Sequence, residues 1–285
     1  MKKLLSLKAL VAGIAAALSI GAASATPVAN QFFNGFQQLS DNSAEYLVNA
    51  NGTLCVPGGD CNVDLGDRLV GMFTISTIEK AGTTRLLGVG GVNELTGIFD
   101  LTVASVAAGG LGFNFRFVAT APSGVAVSLF DDPLVNYQRT DGGAGTKAAR
   151  IAALLLTASN GTPFLTLGLH SATSFTATTI TNNIATLGSI PAPGNGGTFN
   201  EGLDIIANTS GLKFGKVSCF NFGTLAIDLV DVCGSGSLLG TGGVTTPFDS
   251  FDNVDFTVNR IPEPASLALV GLGLLGLGAS RRRKA

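Results

Sequence analysis

Apolar and polar residues alternate with period two along much of this chain. Val254, Phe256 and Val258 alternate with Asp255, Thr257 and Asn259, and Phe113, Phe115 and Phe117 alternate with Asn114 and Arg116. Leu69, Gly71, Phe73 and Ile75 fall on one face of a stretch from Arg68 to Ile78. Such alternation predicts strands with one buried face. Further short strands are expected near 84–90, 95–106, 125–130, 151–157, 164–169, 173–181, 203–208, 212–222 and 224–231. The 147–156 stretch, KAARIAALLL, fits a helix or a buried strand equally well.

Turn residues separate these segments: Asn51-Gly52, Gly58-Gly59, Gly109-Gly110, Asp131-Asp132-Pro133, Asp141-Gly142-Gly143, Asn160-Gly161 and Gly242-Gly243. Many short strands with glycine-rich turns predict an all-β body, an antiparallel β-sandwich of jelly-roll type. The glycine- and proline-rich stretch from Gly188 to Gly202 is the best candidate linker, but a long loop within one domain serves as well, and one domain is expected.

The two ends read differently. Lys2, Lys3 and Lys8 precede an apolar run, Ala9 to Ile20, and a small-residue site at Ala23-Ser24-Ala25. That order is a secretory signal peptide, residues 1–25, for the Sec export machinery and signal peptidase. At the other end Pro262-Glu263-Pro264 leads into an uncharged run, Ala265 to Ala279, closed by Arg281, Arg282, Arg283 and Lys284. Those 15 uncharged positions make a helix of about 22 Å, short of the ~30 Å hydrocarbon core. Such a length suits a temporary membrane stop, with the cations held on the cytoplasmic side and the body, 26–260, outside.

The segment 261–285 resembles the PEP-CTERM sorting tail of exported proteins from Gram-negative bacteria that make extracellular polysaccharide. The resemblance implies an exosortase-type membrane enzyme as partner, a surface or matrix destination, and a role as substrate rather than catalyst. Gly66 to Glu79, followed by Glu94 to Phe99, is also similar to PEP-CTERM proteins associated with flocculation. Residues 250–256 look like the closing strand of sugar-binding jelly rolls, which makes an extracellular polysaccharide a second expected partner. The chain has no Trp and two Tyr, however, so exposed stacking platforms for sugar rings are scarce.

Charge sharpens the picture once the ends are set aside. Of 17 Lys+Arg, three lie in the leader and four in the tail, leaving 10; of 19 Asp+Glu, Glu263 alone lies outside the body, leaving 18. The exported body is therefore near −8, with no basic footprint for nucleic acid.

Four cysteines in an oxidising compartment point to disulfides, and the local pairs Cys55–Cys61 and Cys219–Cys233 are expected among three connectivities. His170 is the single histidine, without a G-x-S-x-G elbow or an H-E-x-x-H motif, so no catalytic residue is assigned. Asp60, Asn62 and Asp64 have the i, i+2, i+4 spacing of a calcium loop, but Leu65 and Gly71 stand where an EF-hand needs Gly and Glu. No cofactor is expected apart from this weak calcium candidate. Asp249, Asp252 and Asp255 recur every third residue, which on a strand sends them to alternate faces.

Overall fold

The computed structural model describes residues 26–56, 58–109, 112–139, 145–188, 195–221, 223–239 and 248–262. The signal peptide, the tail from Glu263 onward, and the turns expected at Asp141-Gly142-Gly143 and Gly242-Gly243 lie outside these residues.

In chain order the first strands are β1 (Gly35–Val48), β2 (Arg68–Lys80), β3 (Thr83–Leu86), β4 (Glu94–Gly109), β5 (Gly112–Ala119) and β6 (Val125–Asp132). Helix α1 (Lys147–Ala158) follows, then β7 (Thr162–Leu169), β8 (Phe175–Thr179), the short α2 (Ile184–Gly188) and β9 (Asn195–Asn208). The remainder comprises β10 (Lys213–Gly215), β11 (Val217–Asn221), β12 (Ala226–Val230), β13 (Val232–Leu239) and β14 (Ser250–Ile261). Asn195 to Gly202, the second half of the expected linker, is thus part of a strand.

The body is all-β as expected, but it is not two facing sheets. Twelve strands form one antiparallel sheet that closes into a barrel-like ring, β1-β14-β13-β9-β7-β6-β4-β2, with β2 returning to β1. Two long strands make the closure possible by splitting their partners. β4 pairs β6 through 94–99 and β5 through 101–109, while β9 pairs β8 through 197–201 and β7 through 203–208. At one end the gap between β4 and β9 is filled by β6 and β7, and at the other by β5 and β8. Closure removes the exposed edges that a sandwich would leave.

Inward and outward positions alternate around the ring. Leu69, Phe73 and Ile75 turn inward as the sequence pattern predicts, as do Phe115, Phe117, Val254, Phe256 and Val258. Phenylalanines fill the interior by lying over glycines on the neighbouring strand. Phe99 covers Gly71, Phe73 covers Gly97, and Phe199 covers Gly236.

Helix α1 resolves the ambiguity at 147–156, and its side chains show why. Ile151, Leu154 and Ala158 fall on one helical face and pack on Ala44, Tyr46, Val70 and Met72, the outer faces of β1 and β2. Leu156, on the opposite side, is 71% exposed. Thr146 caps the helix by accepting from Ala149 N at 3.3 Å, and Thr96 donates to the Ala158 carbonyl at 2.8 Å.

Both expected disulfides are present, with Cα–Cα distances of 4.8 Å for Cys55–Cys61 and 5.3 Å for Cys219–Cys233. The first closes the loop after β1. The second ties the β11–β12 hairpin, a separate two-stranded sheet, to the barrel strand β13.

Candidate functional site

The barrel has two chemically different ends. The end where β14 finishes is apolar inside: Phe32, Phe164 and Phe214 cluster there with ring separations of 5.8 and 5.9 Å, above Leu39, Leu165 and Val258. Pro262 is exposed and directly follows the last residue of β14. Lys213 to Gly215 pair with Asn259 to Ile261, so the exit of the sorting segment is held between β1 and β10. Glu263, Pro264 and Arg281 to Arg283 lie outside the described residues, as do Ala23 and Ala25. The start of the described chain sits at the same end: Thr26 bridges Val92, and the Val28 N–H donates to Asp131 Oδ2 at 3.1 Å.

The opposite half of the interior is acidic. Asp41, Glu45, Glu201 and Asp252 are all buried, together with Ser43 and Ser250. The β1–β14 register passes from Ser40↔Asp255 to Ser43↔Asp252, and Asp41 Oδ1 accepts the Val254 N–H at 2.8 Å in the gap. Ser43 and Ser250 donate to the two oxygens of Glu45 at 3.0 and 2.7 Å. Burial pushes the Glu45 carboxyl up to about 7 and the Glu201 carboxyl up to about 8. It also raises Asp41 and Asp252 well above the usual carboxylate range, with mutual repulsion adding to the effect. Burial thus favours the neutral form at all four positions, and a protonated carboxyl can donate as well as accept a hydrogen bond. A cavity of about 60 Å³ adjoins them, walled mainly by Phe73, Phe99, Phe115, Phe117 and Phe175, with room for about two waters. Ile184 and Leu187 of α2 cap it, and α2 is clipped to the first disulfide loop by Ile184 N–H to Cys61 O at 2.9 Å.

Outside the barrel, the face opposite to these Phe side chains is polar and concave. The strand registers place Asn114, Thr178, Thr198, Ser237 and Asn253 in one row across β5, β8, β9, β13 and β14. Arg116, Thr176, Asn200, Ser235 and Asp255 form a second row, which Ser40 on β1 extends through a 2.7 Å bond to Asp255. Five strands about 4.8 Å apart make each row roughly 20 Å long. The rows line an open groove of about 910 Å³, flanked at Gly223 by the β11–β12 hairpin. Its chemistry is mostly hydroxyl and amide, with Arg116 and Asp255 as charged members, and suits a ligand rich in hydroxyls, with Phe115, Ala177 and Phe199 at its floor. Sequence reading missed these rows because a single strand shows only one or two of their members.

The remaining candidates disperse. Asp60 Oδ1 accepts from Asn62 N at 3.2 Å, Asn62 Oδ1 accepts from Asn183 Nδ2 at 3.2 Å, and the Asp64 N–H donates to Asp67 at 2.8 Å. Among the described residues no group of three or more His, Cys, Asp and Glu is placed to hold a metal. Asp249, Asp252 and Asp255 separate as their spacing predicts: Asp255 faces the groove, Asp252 the interior, and Asp249 pairs with Lys147 beneath α1. His170 Nδ1 lies 2.7 Å from Asp204, which Lys216 also binds at 2.7 Å. This is a surface ion cluster, and none of its described contacts links the imidazole to a hydroxyl.

The PEP-CTERM protein-sorting motif matches residues 260–284. No curated protein matches the chain. The matched segment begins at Arg260, so the motif overlaps the end of β14 and continues beyond it. Among the described residues no helix is long and apolar enough to cross a membrane.

Proposed function

We propose that this protein is exported, processed at its tail by an exosortase-type enzyme, and acts without catalysis as an adhesive component of extracellular matrix or flocs. The sorting motif at 260–284 carries the export half of this reading. A signal peptide at 1–25 supplies the entry into the export pathway. Two disulfides and a closed barrel suit a body that must persist outside the cell.

A second reading, that the body binds extracellular polysaccharide, is favoured by the two polar rows in the outer groove. The rows offer donors and acceptors at regular strand spacing, and the body's charge near −8 favours a neutral glycan over an acidic one. The two readings combine naturally, since a barrel that grips polysaccharide would hold a matrix together.

Terminal sequencing by mass spectrometry of the protein from the producing cells tests the processing. A chain from Thr26 to the neighbourhood of Pro262–Pro264 is expected, and one retaining Arg281 to Lys284 would refute it. For adhesion, a deletion strain should lose flocculation and regain it with the intact gene. A Thr178→Glu/Thr198→Glu gene should fail to restore it while still exporting folded protein. Full restoration by that gene would remove the groove from the account.

A further inference from the structure

We propose that the end of the barrel from which the tail emerges is a contact surface for an anionic lipid bilayer, engaged while the tail is still inserted. This rests on the reading of the tail as a temporary membrane stop. Three residues, Pro262, Glu263 and Pro264, separate Ile261 from the apolar run that begins at Ala265. A fully extended chain bridges those four steps with at most about 14 Å. The tethered barrel must therefore hold this end against the headgroups, whatever else it does.

The surface presented there has the composition such a position calls for. Phe36 is 61% exposed and Ile261 45% exposed, on adjacent strands at the exit. Four of the ten body cations surround them: Lys80, Arg85, Lys213 and Arg260. Their placement is structural, because three of them are fastened to the carbonyls of the segment preceding β1. Lys80 Nζ donates to the Asn34 carbonyl. Arg85 donates to the Asn30 and Gln31 carbonyls at 3.1 and 2.7 Å, and Arg260 to the Phe32 carbonyl at 2.6 Å. Carbonyls orient these side chains without neutralising them. Lys213 is exposed opposite Ile261.

The same end also carries carboxylates, of which Glu94 and Asp132 are buried while Glu79 and Asp131 are not. Glu79 is exposed beside Lys80, and Asp131 accepts from Val28 N–H and from Asn93. Asp204 and Asp231 are paired with Lys216. In a body near −8, four cations gathered around exposed aromatic and aliphatic side chains at the tail's exit are the exception that needs a partner. Basic residues interleaved with apolar ones are what an anionic membrane interface selects. An anionic bilayer would also orient the barrel, turning the polar groove sideways and the acid-lined interior away from the membrane.

The chain contains no Trp, which makes a direct test available. The full chain would be reconstituted in vesicles containing brominated lipid, either zwitterionic or one-third phosphatidylglycerol, carrying Phe36→Trp or, at the opposite end, Leu65→Trp. Leu65 is 69% exposed before the start of β2 and serves as the distant reporter. The expected result is co-flotation of both variants, with quenching of the Phe36→Trp signal at least about twofold stronger than that of Leu65→Trp in the anionic vesicles. Adding Lys80→Glu/Lys213→Glu should reduce that quenching without changing co-flotation. Equal quenching at both ends, no quenching of either, or indifference to vesicle charge would overturn the lipid contact while leaving the tail reading intact. Failure to co-float would overturn both. If a soluble acidic polysaccharide displaced the Phe36→Trp signal from the vesicles, the surface would belong to glycan instead, and the lipid proposal would fall.

Discussion

The ring of Phe73 on β2 lies over the bare Cα of Gly97 on β4, directly opposite it in the strand register. Two positions along, Phe99 on β4 lies over Gly71 on β2 in the reverse sense. Each glycine leaves the volume that the other strand's phenylalanine fills, so the two strands interlock. A Cβ at either glycine would overlap an aromatic ring. Gly97→Ala should therefore lower the unfolding free energy by roughly 1–3 kcal/mol, the usual cost of overpacking. Thr178→Ala, on the exposed outer row, should stay within about 0.5 kcal/mol. Denaturant titrations of the two variants decide this, and a neutral Gly97→Ala would show that Phe73 can move aside.

Acid should stabilise this protein rather than unfold it. Glu45 and Glu201 rise from an ordinary 4.5 to about 7 and about 8 in the folded barrel, and Asp41 and Asp252 rise with them. Arg139 is the cation that opposes these shifts, acting on Asp41 and Glu45. A carboxyl whose folded pKa is raised gives stability that is complete below its unfolded value and is lost as pH rises through the folded one. The melting temperature should accordingly be highest near pH 4–5 and decline through pH 7 and 8. Asp204, lowered by Lys216 and His170 against its own desolvation, works in the opposite sense, but it is partly exposed and weak. Glu201→Gln should flatten the decline between about pH 5 and 8. A melting temperature that rises over that window would refute the assignment.

Lys147 is tied to Asp249, and also donates to the Cys55 carbonyl at 2.6 Å. Asp249 in turn accepts the Leu47 N–H at 3.0 Å, so one ion pair joins α1, the first disulfide loop and the end of β1. Burial raises the Asp249 carboxyl, and Lys147 restrains that rise. Lys147→Met would leave a buried, unpaired acid, at a cost of about 3–5 kcal/mol. Lys147→Met/Asp249→Asn should recover a good part of that loss, which a double-mutant cycle in denaturant would measure.

The β11–β12 hairpin depends on Cys219–Cys233 for its position on the barrel. Val217, Cys219 and Val230 make a small core of their own beside it, while Ile227 and Leu229 remain exposed. The bond closes a loop with a sequence separation of 14, worth about 3 kcal/mol by chain entropy. Cys219→Ala/Cys233→Ala should lower the melting temperature and open residues 217–230 to limited proteolysis before the barrel itself is cut. Simultaneous cleavage throughout would show that the hairpin is part of the barrel's cooperative unit.

Much of the strand content, the turns that fall among the described residues and the disulfide pairing were legible because each depends on near neighbours. Period-two alternation at Leu69–Ile75, Phe113–Phe117 and Val254–Val258 reports one buried face, whatever that face packs against. Cys55–Cys61 and Cys219–Cys233 are close in sequence, so local geometry favours them. The sorting signal, too, is written in consecutive residues.

Strand β1 was hidden because its inward set, Gln37, Leu39, Asp41, Ser43, Glu45 and Leu47, is mostly polar, and no hydrophobic pattern reveals a strand that faces an acidic interior. Strand β13 was hidden by its glycines, which exist to receive Glu201 and Phe199 from β9. Closure into a barrel rather than a sandwich turns on β4 and β9 each taking two partners along one edge, a choice made by strands far apart in the chain. The polar rows of the groove and the basic cluster at the exit collect residues from as many as six elements. Sequence by itself determined many of the strands, the cross-links and the sorting motif, because those are set by adjacent residues. Tertiary structure decided which side chains share a surface, because only long-range strand pairing brings them together.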